Sequence, residues 1–463
     1  MICRVRTAAA THPVMPVGFF HSDVNLKLFK EPDFNGLSSL LVREDIGLLF
    51  VGARGKEFHK HFPINMLTLS FCQVNWTVTS KEKALCKVKG KSIEECDNYI
   101  RMMHTLDDGR ILVCGTKAFN PTCTHLVHSF QNGRGKVPFD PNENFASMVN
   151  GLNQYGLGSK VRWPLDPVKD SLTLKSSCQT YQHILNDLIS GPNMISMKFA
   201  EISKHSNNED DNVFLFLTEI EIKDQHSNLR LSRVARVCKS DLGGLRILQK
   251  KWTSFLKARL DCPFGDEGSA SLVQDVFFLQ DENNVTDSIF YATFTLSTQS
   301  AVCAYKLSDI QQVFRGNFLT ETAYGTWVTY TGTFPTPYPR SCINDEMRAS
   351  GVRTSHNFPD ATLLFVKNHP LMEQVVTPIT GKPLLVRSMA QFSKIVVDKV
   401  TSLDGEQHTV MFISNNSCWL QKAVWSGDDG GRIIEELQLF QDPQPIRFLQ
   451  LSRRVGYSYM SVD

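Results

Sequence analysis

Short runs of β-branched and aromatic residues recur along the whole chain, and they constrain its fold more than any other feature. Leu48–Ala53, Arg110–Cys114, Val213–Thr218, Ile289–Thr295 and Val410–Ser414 are the clearest. Each follows a polar turn and ends in small or polar residues, the pattern of a strand in an all-β protein. Glu44-Asp45-Ile46-Gly47, Asp107-Asp108-Gly109 and Leu403-Asp404-Gly405 place Asp and Gly where a tight turn needs them. Two of the gaps between runs are nearly double the shortest, so a pitch of about 60 residues places roughly seven units in the 463-residue chain. That pitch is too long for a WD repeat, and no Trp-Asp signature occurs. It suits a propeller with large, loop-rich blades, although an array of β-sandwiches would also give short strands.

Helical signals are few. Ser308–Phe314 and Ala361–Lys367 have apolar residues three and four apart, the second ending before His369-Pro370. Both lie between about 305 and 375, a Pro- and Gly-rich stretch that reads as an insertion within one blade. Residues 145–190 carry no clear pattern.

The composition, 42% hydrophobic and 21% charged, supports a large core. The net charge is +2 with both signs interleaved, so nucleic acid is not an expected partner. No apolar run reaches the roughly 18 residues of a membrane-spanning helix. The first twenty residues lack the apolar core of a signal peptide. The 12 cysteines include no Cys-x-x-Cys, which argues against zinc ribbons and thioredoxin-like motifs. Wider spacing suits an oxidising compartment. By spacing alone, Cys114 and Cys123 could form a metal clip, a redox pair or a structural disulfide.

Catalytic and ligand motifs are wanting. His59 and His61 share a strand face without a third ligand, so a solvated face is the simpler reading. Gly133-Arg134-Gly135-Lys136 fails the phosphate-loop spacing, because Phe130 stands at the first glycine and Val137 follows the lysine. It reads as a basic turn, and the acidic cluster 207–212 as a solvated loop. Neither a Gly-x-Ser-x-Gly elbow nor His-Glu-x-x-His occurs, and no enzyme, metal or cofactor is expected. Asn75, Asn284 and Asn415 head glycosylation sequons, Asn284 in the most polar loop, while Pro121 excludes Asn120.

Longer segments carry a resemblance. They are Cys86-Lys-Val-Lys-Gly-Lys, Glu95–Arg101, Cys114–Cys123, Asn132–Pro141, SRVARVCKSDLGG (Ser232–Gly244) and KKWTSFLKARLDC (Lys250–Cys262). SAVCAYKLSDI (Ser300–Ile310), PYPRSC (Pro337–Cys342), FVKNHPLM (Phe365–Met372), FSKIVVDKV (Phe392–Val400) and IIEELQLF (Ile433–Phe440) continue it. In this order and spacing the chain resembles the Sema domain of a semaphorin over most of residues 25–450. The resemblance implies a seven-bladed β-propeller, all-β, with a blade-inserted extrusion containing short helices. It implies an extracellular ligand, secreted or on the ectodomain of a membrane-anchored protein, that binds plexin-type receptor ectodomains in axon guidance and cell migration. It further implies a homodimer, and admits a neuropilin-like co-receptor.

The family pattern pairs Cys86 with Cys96, Cys114 with Cys123, Cys238 with Cys342 and Cys262 with Cys303. The last two pairs would tie the extrusion to its blade. Cys3, Cys72, Cys178 and Cys418 receive no partner. Phe119 is expected as core beneath the Cys114–Cys123 loop. Lys367 and His369 are the polar positions of the extrusion expected to reach a receptor. Departures fall over 146–195, where Arg162-Trp163-Pro164-Leu165 is only an echo of the family segment, and at Asn415–Trp419. Residues 1–22 read as a poorly ordered extension and 23–463 as the propeller, with the final blade lacking a strand and the PSI module of the family absent. A truncated domain acting as a soluble decoy is the alternative reading.

Overall fold

Strand Leu48–Ala53 is buried along all but its first residue, so both its faces need cover, and short antiparallel strands in stacked sheets provide it. The computed structural model describes residues 2–6, 18–19, 27–29, 36–61, 71–125, 131–133, 136–150, 153–158, 162–164, 192–202, 211–224, 227–249, 251–265, 269–322, 326–402, 405–425, 427, 430–440, 443–452 and 457–461. The side chains of His59 and His61, the turn at Arg134 and Gly135, and residues 203–210, which include most of the acidic cluster, lie outside that description, as do the side chains of Cys3 and Cys72 and all of Cys178. The chain divides into one unit of Met1–Tyr181 with Ala390–Asp463 and a second of Gln182–Met389.

Among the described residues, the first unit holds five sheets. Ser39–Arg43, Leu48–Ala53, Lys56–His61 and Phe71–Asn75 form one meander, and Ile100–Thr105, Ile111–Gly115, Thr122–His125 and Gln131–Asn132 another. Phe145–Asn150, Asn153–Gly158 and Arg162–Pro164 make a three-stranded sheet within the stretch that reads as patternless. Phe392–Thr401, Gln407–Asn415, Trp419–Trp425 and Gly431–Gln438 form a meander to which Gly18–Phe19 adds in parallel. The Asp107–Gly109 turn closes as expected. Gly109 takes φ +79°, which L side chains resist, and donates to Leu106 O at 2.9 Å.

The fifth sheet corrects two expectations. Ile2–Arg6 lies between Tyr457–Ser461 and Lys27–Phe29, in register from Ile2 opposite Ser461 to Arg6 opposite Tyr457. Phe448–Ser452 completes it. The final blade therefore has four strands rather than an open edge at Tyr457–Ser461. Residues expected to stand apart, Ile2–Arg6 and Gly18–Phe19, are strands of sheets. A β-ladder recruits any segment with unpaired backbone groups, whatever its sequence separation.

The two local disulfides fasten this unit. Helix Ser80–Val88 begins at a capping box, Glu82 N–H donating to Thr79 Oγ1 at 3.3 Å and Thr79 N–H to Glu82 Oε2 at 2.9 Å. It carries the fully buried Cys86, bonded to Cys96. Cys114 and Cys123 stand directly opposite each other on paired strands and are joined across them. The intervening turn puts Lys117, Ala118 and Phe119 in succession at positive φ (38°, 55° and 56°), a conformation that costs about 1–2 kcal/mol per residue. Packing offsets that cost: Phe119 is buried against Cys86, Cys96 and Ala118, as expected of a core residue. The amide of Lys117 donates to the Asn98 side chain at 3.0 Å, and Lys89 Nζ donates to Phe119 O at 3.1 Å.

The second unit has two four-stranded sheets, Asn193–Ala200, Asn212–Asp224, Ser227–Cys238 and Leu256–Arg259, then Leu272–Leu279, Ile289–Leu296, Gln299–Lys306 and Leu385–Ser388. Phe214, Phe216, Phe290, Phe294, Tyr305 and Phe318 fill one core shared by both. Phe290 is its centre, with ring centroids of Phe278, Phe216 and Phe214 at 4.4, 5.2 and 5.4 Å. With these two, the described residues form seven sheets of three to five strands, the blade set of a seven-bladed β-propeller.

Candidate interaction surface

Between the third and fourth strands of the second of these blades, the chain leaves the sheet at Lys306 and returns at Leu385. The inserted stretch holds helix Leu307–Phe314, the hairpin of Leu319–Glu321 and Trp327–Thr329, helix Asp345–Ala349, the 3-10 turn Ser355–Asn357 and helix Asp360–Asn368. It is the expected extrusion with its short helices.

Backbone bonds seat it on the neighbouring blade. Lys257 O accepts from Met372 N–H at 2.9 Å, Arg259 O from Val376 N–H at 2.8 Å, and Val376 O from Asp261 N–H at 3.0 Å. The segment thereby extends strand Leu256–Arg259 as a short parallel edge. Cys342 is bonded to Cys238 at the end of strand Ser227–Cys238. Both bridges of this unit are present, but they correct the expected roles. Cys238–Cys342 ties the extrusion to the preceding blade, and Cys262–Cys303 joins the two blades to each other. Sequence order hides this, because a propeller blade packs against its neighbour as closely as against its own insertion.

Buried charge stiffens the base. Glu219 accepts from Arg233 Nε at 2.6 Å and from Lys257 Nζ at 2.8 Å. Desolvation nonetheless pulls the Lys257 pKa below its usual value. The Asp241 carboxylate, also buried, receives the amides of Gly243, Thr253 and Ser254 and the hydroxyls of Thr253 and Ser254 at 2.6–3.1 Å. Ser355 Oγ then accepts from Leu242 N–H and donates to Gly243 O, both at 2.9 Å, joining that loop to the extrusion.

Helix Asp360–Asn368 buries Leu363, Phe365 and Val366 and turns Ala361, Leu364 and Lys367 outward, three residues apart along one stripe. Leu364 is 51% exposed; Leu242 and Leu245, on the loop whose Gly244 lies against Leu363, are 52% and 59% exposed. Lys367 thus occupies the outward position expected of it. His369 does not: it is 8% exposed, its ring stacks on Phe365 at 4.1 Å, and its Nδ1 pairs with Phe365 O at 2.9 Å. Burial lowers its pKa. The Pro370 that follows turns the chain inward toward Lys257, which is why the histidine is core. Leu364 carries no sequence signal of its own, because it falls between the buried pairs Thr362-Leu363 and Phe365-Val366 and only the packing of the helix shows which apolar residue faces out.

The sequons separate in the same way. Asn284 is exposed at the N-cap of the 3-10 turn Val285–Asp287, and Asn75 is exposed at a strand end. Asn415 is 7% exposed and its Oδ1 accepts from the amides of Ser417 and Trp419, each at 2.9 Å. Cys418 beside it is a buried thiol whose Sγ lies 2.9 Å from Gln444 O. No helix of the described residues is long and apolar enough to cross a membrane.

Comparison with known proteins defines the class. Residues 273–453 match the family model described as Sema domain. Semaphorin-4D of Mus musculus is 40% identical over 99% of this chain and 55% of its own length, so the chain spans about half the length of that relative. Among solved structures, Drosophila Semaphorin 1a, extracellular domains 1-2, superposes with a TM-score of 0.73 at 27% identity, over 93% of this chain and 86% of that one. A chain of the structure titled Drosophila Plexin A in complex with Semaphorin 1b gives a TM-score of 0.70 at 24% identity, over 92% of this chain and 84% of that one. The fold is a Sema-type β-propeller. Over nearly its whole length the chain is similar to semaphorins, and residues 273–453 carry the Sema domain match.

Proposed function

We propose that this chain is an extracellular signalling ligand whose Sema propeller binds a plexin-type receptor ectodomain, in axon guidance and cell migration. The observation that carries the reading is the outward stripe of Ala361, Leu364 and Lys367, flanked by exposed Leu242 and Leu245, on a base held by a disulfide and buried hydrogen bonds. Exposed apolar side chains on a rigid base, with a charge at the margin, have the make-up of a protein-docking patch. Four disulfides accord with an oxidising, extracellular setting. The solved complex of Plexin A with Semaphorin 1b supplies the receptor class. Asn284 and Asn75 are the proposed glycan acceptors.

Surface binding to a panel of plexin ectodomains tests the reading. Leu364→Asp should weaken binding at least tenfold, about 1.4 kcal/mol or more, without changing Tm. Absence of binding to every plexin by folded, disulfide-intact protein overturns it. In a homodimer two such faces would hold two receptors together and raise their effective concentration; sedimentation at micromolar protein checks the dimer.

A further inference from the structure

The four bridges have different surroundings. Cys86, Cys96, Cys114, Cys123 and Cys303 are 0% exposed and Cys262 is 2% exposed. Cys342 is half-buried and lines a cleft of about 500 Å³, bordered by Arg236, Gln311, Phe314, Tyr338, Arg340 and Glu346. A thiolate in that cleft has a route to a sulfur atom that the other bridges deny it.

The charge around this bridge is also distinctive. Arg236 Nη1 lies 2.9 Å from Cys342 Sγ and 3.2 Å from Cys238 Sγ, and its Nη2 donates to Arg340 O at 3.2 Å. Arg340, two residues before Cys342, is buried with its Nη2 donating to Val366 O and with Nε and Nη1 making no hydrogen bond. Its backbone is held at φ 63°, in the left-handed region. Positive charge beside a sulfur favours the thiolate over the thiol, and a stabilised thiolate is a faster leaving group in exchange.

We propose that Cys238–Cys342 is an exchangeable disulfide, attacked at Cys342 Sγ by an extracellular dithiol reductant, while the other three bridges are structural. The attacking thiolate bonds to Cys342 Sγ as the Cys238–Cys342 bond breaks, and the bonding pair stays on Cys238 Sγ beside Arg236. The reductant's second thiolate then attacks the reductant sulfur of the mixed disulfide and releases Cys342 as thiolate. The reductant leaves as a disulfide, two electrons have passed to the protein, and both cysteines take protons from solvent. Opening removes the link between strand Ser227–Cys238 and the segment leading into helix Asp345–Ala349, at the base of the extrusion. This inference does not depend on the identity of the receptor.

The test uses the whole chain. Pre-existing thiols are blocked with N-ethylmaleimide, the folded protein is treated with thioredoxin or dithiothreitol, and new thiols are trapped with iodoacetamide and assigned by peptide mass spectrometry. Cys238 and Cys342 should be trapped about tenfold faster than the other six half-cystines. Arg236→Gln should slow that pair and leave the others unchanged, with Arg236→Lys restoring the rate. Equal trapping at all four bridges, a different bridge opening first, or no effect of Arg236→Gln overturns the proposal. Because Arg236→Gln could unfold the base, wild-type protein gives a second readout. At matched thiolate concentration, anionic 2-mercaptoethanesulfonate should open this bridge faster than cationic cysteamine, and the reverse order overturns the role of the guanidiniums.

Discussion

Ser254 donates its hydroxyl to the Asp241 carboxylate across 2.6 Å and its amide to the same oxygen across 2.9 Å. One buried carboxylate thereby organises the loop that carries Leu242 and Leu245. Asp241→Ala would leave the amides of Gly243, Thr253 and Ser254 without this acceptor. A loss of about 3 kcal/mol is expected, read as a lower urea midpoint with little change in m. Asp241→Asn, which keeps one acceptor oxygen, should lose less; equal losses would mean that the retained oxygen contributes nothing and the charge and second oxygen carry the whole effect.

Glu219 stands between two cations, Arg233 and Lys257. Glu219→Gln leaves both buried beside a neutral amide, and should destabilise by about 3–5 kcal/mol. Adding Lys257→Met to Glu219→Gln should recover part of that loss, because one buried charge goes with it. A double variant no more stable than the single one would contradict this account.

His104 sets a pH dependence in the first unit. Burial pulls its pKa from 6.5 to about 4, and its Nε2 pairs with Ser147 Oγ at 2.8 Å. The imidazole is neutral in the fold, so between about pH 6.5 and pH 4 the unfolded chain binds more protons. Stability is fully present above the upper value and falls as pH drops through that window, by at most about 3 kcal/mol. His104→Gln should flatten the pH profile of Tm over the same interval; an unchanged slope assigns the acid sensitivity elsewhere.

Glycopeptide mapping of protein secreted from animal cells should find Asn284 occupied and Asn415 bare. Each side chain caps its own turn, but Asn284 is exposed whereas Asn415 is 7% exposed. Full occupancy at Asn415 would require that turn to open before folding is complete. Asn284→Gln should abolish the corresponding mass shift and lower Tm slightly, because the shorter side chain caps the Thr286 amide.

Elements whose information is local were legible in the sequence. The Leu48–Ala53 strand and the helices over 308–314 and 361–367 follow from periodicity within a few residues, and the structure places them there. Helix Ser80–Val88 is not among the elements expected from the sequence, although Thr79 and Glu82 form a capping box at its start. The interaction stripe was half legible. Lys367 is outward, while His369 is drawn inward by stacking on Phe365, a contact that no spacing rule contains.

The sequence by itself determined the strand-rich class, the extrusion with its two longer helices, and, through resemblance, the four cysteine pairs. These rest on local pattern or on segments long enough to be specific. Only the tertiary structure decided that Ile2–Arg6 pairs with Tyr457–Ser461, that Cys262–Cys303 joins two blades, and that Asn415 and His369 are buried. The reason is the same in each case. Burial and backbone pairing are settled by which surfaces meet, and those partners lie on different strands, blades or ends of the chain.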